Sequence, residues 1–200
     1  MRGSSQERAE VVQPGQRNTR RMDLLDAADN VVRRDGPEAS MQKIAAEAGI
    51  TKPILYRQFG DKGGLYRALA DRYARALMAE LSDALERETD PRARLTLTID
   101  TYLAFLESEP QVYRFLVHRA AGERREIYEA ISDFIRQIAR QVADNLRADL
   151  DRYGIEPEAA EPWAFGLVGM VQLAADWWLE RRTIERRQLV AYLVTLVWDG

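Results

Sequence analysis

The 200-residue sequence has no cysteine and a single histidine, His118. Without cysteine there is no disulfide framework and no thiolate metal site, and one histidine cannot supply a histidine-rich zinc or iron cluster. No carboxylate or nucleophile stands at a readable spacing from His118, and the HExxH, GxSxG, GxGxxG and Walker motifs are absent. We therefore expect neither an enzyme nor a bound cofactor.

The sequence also has no apolar run of the roughly 20 residues that a membrane-spanning helix needs. Its most apolar stretch, WAFGLVGMVQLAADWWL, is interrupted by Gln172 and Asp176. Residues 1–16 have no signal-peptide core and contain Gly, Ser, Gln and Pro, which predicts a flexible arm. We expect a cytoplasmic protein without a membrane partner, and 46% hydrophobic residues are enough for one or two modest cores.

Basic charge is scarce overall but not in the first quarter of the chain. The formal net charge is -3, whereas residues 17–62 hold nine lysines and arginines against seven acidic residues, a balance of +2. All three lysines, Lys43, Lys52 and Lys62, lie in this part. It is the only candidate surface for a polyanion, although a charge excess of this size is more often a solvated surface.

Hydrophobic periodicity is helical almost throughout, and no alternating run rich in β-branched residues indicates a sheet. The pattern predicts an all-α protein with a flexible arm at 1–16, a three-helix unit at 17–64 and a helical bundle at 65–200. Gly, Pro and Asp at the breaks separate about nine helices. We expect the first at 17–34, the second after a cap at Ser40, the third from Thr51, and the fourth at 65–86 after a cap at Asp61. The later helices are expected at 91–107, between the breaks at 109–110 and 120–123, and at 124–153, 163–179 and 183–198.

The segment MQKIAAEAGITKPILYRQF has the loop length and glycine placement of a helix-turn-helix. Small Ala45 lets two helices cross closely, and Gly49 can take the left-handed conformation of a sharp turn. The hydroxyl of Thr51 can cap the next helix. Leu55 and Phe59 are four residues apart, so both can face the same core.

The helix that begins at Thr51 then presents Lys52, Tyr56 and Arg57 on the side opposite to Leu55 and Phe59. A helix of this size fits the major groove of B-DNA. Lysines serve as point-charge ligands of phosphates, and Arg57 or Gln58 can read base edges. The alternative is that Tyr56 and Phe59 are core aromatics of an unrelated helical bundle whose lysines are ordinary surface residues.

The segment from Met41 to Tyr66 resembles the DNA-binding domain of the TetR/AcrR family of bacterial regulators. One departure is Gly63–Gly64, where good helix formers are expected. The resemblance covers about the first third of the chain. The remainder agrees with the family only in its length and in being helical. The family pattern IAxxAGxxxxxLYxxFxxKxxL is matched by Ile44, Ala45, Ala48, Gly49, Leu55, Tyr56, Phe59, Lys62 and Leu65.

The resemblance implies a transcriptional regulator, a repressor, that binds double-stranded DNA as a dimer. The two half-sites of a palindromic operator would lie about one helical turn, roughly 34–36 Å, apart. Two alternatives are a helical effector-binding or scaffold protein with a silent DNA-binding unit, and an α-helical enzyme. The implied DNA-binding residues are Arg17, Arg21, Ser40, Gln42, Lys43, Thr51, Lys52, Pro53, Ile54, Tyr56, Arg57, Gln58 and Lys62.

The last two predicted helices are apolar around most of their circumference, so they must be buried. In a chain of this length we expect them to be buried against a second copy, and the resemblance likewise implies a homodimer formed through these two helices. The alternative places Trp177, Trp178 and Trp198 in the core of the monomer. The predicted interface residues are Trp163, Gly166, Gly169, Leu189, Leu193 and Leu196.

The resemblance also implies a small-molecule effector that binds among the fourth to eighth helices, shifts them and releases the DNA. The candidate lining is mostly apolar with a few polar groups, which suits an apolar or aromatic ligand. Each of these residues, taken alone, is better explained as a core residue. The candidates are Tyr102, Phe105, Tyr113, His118, Tyr128, Phe134, Met170, Gln172 and Trp177.

Overall fold

The computed structural model describes residues 14–116 and 125–200, with side chains for 19–116, 128–129 and 131–200. Within these ranges there are nine α-helices and no strand, which confirms the predicted fold class. His118 and residues 1–13 lie outside the described residues. The helices are α1 (Pro14–Asp35), α2 (Met41–Glu47), α3 (Lys52–Phe59), α4 (Lys62–Arg87), α5 (Pro91–Ser108), α6 (Pro110–Arg114), α7 (Arg125–Arg152), α8 (Ala160–Arg181) and α9 (Arg186–Trp198).

Several helix ends differ from the prediction by a few residues. α1 begins at Pro14, so the last three residues of the predicted arm are helical. α4 begins at Lys62, and the Asp61 side chain caps it as predicted, by accepting a hydrogen bond of 2.8 Å from the Gly64 N–H. None of the described helices has an apolar stretch long enough to cross a lipid bilayer.

Three clusters of buried side chains hold the helices together. The N-terminal core joins α1, α2 and α3 to the first half of α4 and also takes in Val112 and Phe115 at α6. A second core lies between α5, α8 and α9 around Trp178, and a smaller third one between α4 and α7 around Leu81. Because α4 contributes to the first and third cores, the helix-turn-helix is packed directly on the rest of the molecule.

A tight turn joins α2 to α3. Gly49 adopts a φ of +63°, its N–H donates to the Ala46 carbonyl at 3.1 Å, and the Ile50 N–H donates to the Ala45 carbonyl at 2.9 Å. These two bonds form a Schellman motif, which satisfies the last carbonyls of α2. Ile50 packs against the N-terminal core. The glycine corner therefore has the geometry that the spacing predicts.

Gly64 marks a close approach between α3 and α4. A Cβ atom at this position would overlap the backbone carbonyl oxygen of Phe59, the last residue of α3. The first turn of α4 therefore rests against the end of α3 with no room for a side chain. The departure from the family pattern at this position has a steric reason that the sequence alone does not reveal.

We expect the Gly64→Ala substitution to lower the free energy of unfolding by about 1–3 kcal/mol, because the added methyl group must displace backbone. The matched control is Glu86→Ala in the same helix, at an exposed position outside the proposed interface where the substitution adds no atom. That change should be nearly neutral, because Glu and Ala are both good helix formers. Urea unfolding followed by circular dichroism at one protein concentration measures both, and similar midpoints for the two variants would contradict the close approach.

Candidate nucleic-acid interface and internal cavities

Helix α3 is buried on one side and open on the other. Leu55 is fully buried and Phe59 is only 8% exposed, so both face the N-terminal core. Lys52, Tyr56 and Arg57 are exposed on the opposite side. Within the described residues neither Lys52 nor Arg57 forms an ion pair, so both charges are available to phosphates or base edges.

The remaining predicted contacts of α3 lie around this face. Pro53 is exposed, and Ile54 and Gln58 are half-buried. Thr51 occupies the N-cap position, but its hydroxyl makes no capping hydrogen bond within the described part of the chain. The predicted cap is therefore wrong, because the Thr51 hydroxyl accepts no hydrogen bond from the first N–H groups of α3.

The contacts predicted around α2 are partly engaged within the chain. The Ser40 hydroxyl caps α2 by accepting a hydrogen bond of 3.3 Å from the Lys43 N–H. Lys43 Nζ lies 2.9 Å from Asp35 Oδ2 and donates to the Glu38 carbonyl at 3.2 Å. The hydrogen bond from Lys43 lowers the pKa of Asp35. Gln42 is exposed. A phosphate would have to compete with Asp35 for Lys43.

The predicted phosphate contacts of α1 and α4 stack on aromatic rings. The guanidinium of Arg21 lies 4.8 Å from the centre of the Phe59 ring, and Lys62 Nζ lies 5.3 Å from the centre of the Tyr66 ring. Such stacking holds a cation next to an aromatic face. The backbone of Arg17 lies in α1, while its side chain lies outside the described residues.

A charged network joins α1 to α4 and to the start of α6. The Tyr73 hydroxyl donates to the buried carboxylate of Asp29, and Arg33 pairs with both Asp29, at 3.0 Å, and Glu109. Burial raises the pKa of Tyr73 and of Glu109, and Arg33 opposes the shift of Glu109. Sequence reasoning missed this network, although the spacing of Asp29 and Arg33 was an available signal.

Two cavities lie between α4, α5, α7 and α8. The one nearer to α1, which we call the proximal cavity, has a volume of about 560 Å³, and its lining includes Tyr73 and Glu109. The other, the distal cavity, has a volume of about 770 Å³ and a mostly apolar lining. It extends to Trp163 and Trp198 at the exposed ends of α8 and α9.

The structure separates the predicted lining residues into two groups. Tyr128 is 62% exposed and Trp177 is 45% exposed, and neither lines one of these two cavities. Both were wrong as lining residues, because each lies on the outward face of its helix. The predicted residues that do line the cavities are Tyr102, Phe105, Tyr113, Phe134, Met170 and Gln172.

A chain of hydrogen bonds crosses the lining from α5 to α8. The Tyr102 hydroxyl donates to Gln172 Oε1 at 2.5 Å, and Gln172 Nε2 donates to the Tyr113 hydroxyl at 3.2 Å. Tyr113 in turn donates to the Asp176 carboxylate. Burial, with a smaller contribution from Glu180, raises the pKa of Asp176 to about 6. This carboxyl group therefore changes charge close to neutral pH.

An exposed apolar face runs along α8 and α9. Exposed apolar side chains in this number on two helices of one chain indicate an interaction surface. Leu189 and Leu193, predicted as interface residues, are instead buried against α5 and α8 in the second core, and Trp178 is also buried there. Trp163, Gly166 and Leu196 are exposed, as expected for an interface. The face comprises Phe165, Leu173, Trp177, Tyr192 and Leu196, which are between 38% and 71% exposed.

The raised pKa of Asp176 predicts a pH-dependent stability. The folded chain binds this proton more tightly than the unfolded chain does, so the stabilisation is complete below about pH 4 and is lost as the pH rises through about 6. Replacing Asp176 with Asn should therefore reduce the loss of melting temperature between pH 5 and pH 7.5 by a few degrees. The control Asp144→Asn, at an exposed carboxylate of α7, should leave the difference unchanged. Thermal unfolding at both pH values tests this, and an unaltered pH dependence in Asp176→Asn would contradict it.

Two family models match the chain. The model described as bacterial regulatory proteins, tetR family, matches residues 24–69, which contain the helix-turn-helix. The model described as tetracyclin repressor-like, C-terminal domain, matches residues 80–200, which is more than half of the chain. Together they cover most of the described helices, including those that line both cavities.

Individual relatives and solved structures agree with these matches. An uncharacterized HTH-type transcriptional regulator of Mycobacterium tuberculosis is 33% identical over 182 residues, which cover 90% of this chain and 76% of that protein. The HTH-type transcriptional activator FasR of Mycolicibacterium smegmatis is 31% identical over 186 residues, 92% of this chain and 84% of FasR. A TetR-like transcriptional regulator from Rhodococcus sp. RHA1 is similar in structure, with a TM-score of 0.67, 25% identity, and coverage of 94% of this chain and 97% of that one.

FadR from Bacillus subtilis, whose crystal structure is a complex with stearoyl-CoA, shares the fold at 17% identity. The TM-score is 0.69, over 90% of this chain and 98% of that one. The outward face of α3, the two matching models and the relatives above 30% identity lead to one conclusion. The protein belongs to the TetR family of bacterial transcriptional regulators.

Proposed function

We propose that the protein is a dimeric repressor that binds a palindromic operator and is released when a small, largely apolar ligand enters its cavities. It acts in the cytoplasm by binding alone, without catalysis or a cofactor. The observation that carries this proposal is the outward face of α3, where Lys52, Tyr56 and Arg57 project away from a core that holds Leu55 and Phe59.

Local charge rather than overall charge supports DNA binding. The formal net charge is -3, so the chain as a whole is not attracted to a polyanion. Lys52 at the first turn of α3 suits a phosphate contact, while the fork of Arg57 suits a guanine edge in the major groove. Tyr56 offers a hydroxyl to a phosphate oxygen. Affinity should therefore depend on a few contacts and fall steeply with salt concentration.

We expect the Lys52→Ala substitution to reduce the slope of log affinity against log salt concentration by about 0.9, because one phosphate contact and its released counterion are lost. The control Arg152→Ala removes an exposed cation at the far end of α7 and should leave the slope unchanged. Fluorescence anisotropy with a duplex from the promoter of the protein's own gene provides the measurement. Failure of the wild-type chain to bind such DNA in a salt-dependent way would favour the alternative of a scaffold with a silent DNA-binding unit.

The exposed apolar face of α8 and α9 supports a homodimer. A second copy related by a two-fold axis presents the same face and can cover it, which places two α3 helices on two half-sites. Added Cβ atoms at Gly166 and Gly169 meet nothing within 4 Å, so both positions lie open to a partner helix. Leu173, 71% exposed, is the most exposed large apolar residue of the face.

We predict that the Leu173→Glu substitution converts dimers to monomers and lowers DNA affinity at least tenfold, because a carboxylate would be buried without a partner. The control Tyr128→Glu places the same charge on an exposed apolar position of α7 and should leave both properties unchanged. Analytical ultracentrifugation and the anisotropy assay measure the two effects. A Leu173→Glu protein that stays dimeric would place the interface elsewhere.

The distal cavity supports an apolar ligand. Its lining is dominated by aliphatic and aromatic side chains from α4, α5, α7 and α8, and its few polar groups include Tyr102 and Gln172. FadR from Bacillus subtilis, which has the same fold, was crystallised with stearoyl-CoA. We therefore propose a ligand with a long acyl chain.

Activation of transcription is a second candidate function, beside repression. FasR of Mycolicibacterium smegmatis, 31% identical over 92% of this chain, is named a transcriptional activator. The same dimer on DNA represses or activates according to where its operator lies relative to the promoter. Removal of the protein from the cell raises transcription of the controlled gene if it is a repressor and lowers it if it is an activator.

A further inference from the structure

The proximal and distal cavities share part of their lining, and we call these shared residues the wall. The residues that line both cavities come from four helices, so the wall is the place where α4, α5, α7 and α8 meet. Most of it is apolar, and Met78 contributes a flexible side chain. The shared residues are Met78, Tyr102, Ile135, Ile138 and Gln172.

One hydrogen bond closes this wall. The Tyr102 hydroxyl donates to Gln172 Oε1 at 2.5 Å, and these are the two polar members of the wall. The bond joins α5 to α8, and both of its residues line both cavities. A ligand that passes from one cavity to the other has to break this bond or push both side chains aside, at a net cost of about 1 kcal/mol for a typical hydrogen bond.

The two sides of the wall differ in what a ligand meets. On the distal side the lining is mostly apolar and ends at the exposed residues Tyr153, Trp163 and Trp198. On the proximal side Tyr73 and Glu109 belong to the lining. Both bind α1 through the charged network with Asp29 and Arg33, so a ligand there would disturb contacts that hold the DNA-binding helices.

The length of the distal cavity sets which chains reach the wall. Leu150 lies two residues inside the exposed end of α7, and Ile138 of the wall lies twelve residues away, about 18 Å along the helix. An extended chain advances about 1.2 Å per bond, since three backbone bonds span about 3.6 Å. A stearoyl chain then reaches roughly 20 Å, past Ile138, while an octanoyl chain reaches roughly 8 Å and ends about halfway.

We propose that Tyr102 and Gln172 form a gate that separates ligand binding from ligand response. Short acyl chains occupy the distal cavity with their head group at Tyr153 and Trp163 and leave the gate closed. Long chains open it, enter the proximal cavity and loosen the contacts of Tyr73 and Glu109 with α1. The inference rests on the proposed acyl ligand and adds two specificity-determining residues to it.

The first experiment measures binding of stearoyl-CoA and octanoyl-CoA by isothermal titration calorimetry. Tyr102→Phe removes the hydrogen bond but keeps the ring, so stearoyl-CoA should bind about fivefold more tightly, while the affinity for octanoyl-CoA stays the same. Tyr128→Phe, at an exposed position outside both cavities, is the matched control and should change neither affinity.

The second experiment measures hydrogen exchange of the α1 amides by mass spectrometry, which needs no operator. In the wild-type chain stearoyl-CoA should speed exchange in α1, and octanoyl-CoA should not. Met78→Trp fills the wall and should abolish the α1 response to stearoyl-CoA while octanoyl-CoA still binds. Because this substitution adds bulk, Tyr102→Phe provides an independent test that does not crowd the site.

The outcomes distinguish the gate from the ligand class. Equal effects of Tyr102→Phe on both acyl-CoAs, or no effect on either, would overturn the gate and leave the acyl ligand in place. A response of α1 to octanoyl-CoA in the wild-type chain would also overturn the gate. If neither acyl-CoA binds the wild-type chain, the ligand class and the gate both fail.

Discussion

The burial of Leu55 and Phe59 in the N-terminal core is the contact on which the rest of the structure depends. Each side chain contributes on the order of 2 kcal/mol when removed from water, and together they fix the rotation of α3 about its own axis. Rotation of α3 by half a turn would bury Lys52 and Arg57 at a large desolvation cost. The same two apolar residues thus hold the helix in place and direct its cations outward.

Two kinds of contact connect this core to the cavities. α4 runs through both regions, with Leu65 in the N-terminal core and Leu81 in the third core. The second connection is polar and more easily changed, since Asp29 and Arg33 of α1 hold Tyr73 and Glu109 from the cavity lining. Packed apolar contacts resist small displacements, whereas hydrogen bonds and ion pairs have alternative partners. The polar connection is therefore the better candidate for carrying the ligand response that we propose.

The helix-turn-helix could be predicted from the sequence because its determinants are local. The spacing of Leu55 and Phe59 and the position of Gly49 act within one or two helical turns, and the structure places them as expected. In α9 the apolar stripe is broad, and periodicity alone cannot tell which side meets α5 and which faces a partner. Leu189 was therefore assigned to the interface, although it lies in the core.

The errors in the cavity lining and the missed residues have a similar origin. Tyr128 and Phe134 both lie on α7 and are both aromatic, yet one is exposed and the other lines the proximal cavity. Their difference depends on how α7 packs on its neighbours. The network of Asp29 with Tyr73 joins residues that are 44 positions apart, and the steric role of Gly64 depends on the approach of two backbones. Such features follow from tertiary contacts that no local pattern encodes.

The close contact at Gly64 gives α4 a mechanical role. α4 has 26 residues and is about 39 Å long, and its first turn lies directly against the last turn of α3. No side chain separates the two helices at Gly64, so a tilt of the C-terminal part of α4 would move α3 with it. In the dimer that we propose, a small swing of the inner end of α4 would move both α3 helices out of the spacing that matches one turn of the double helix.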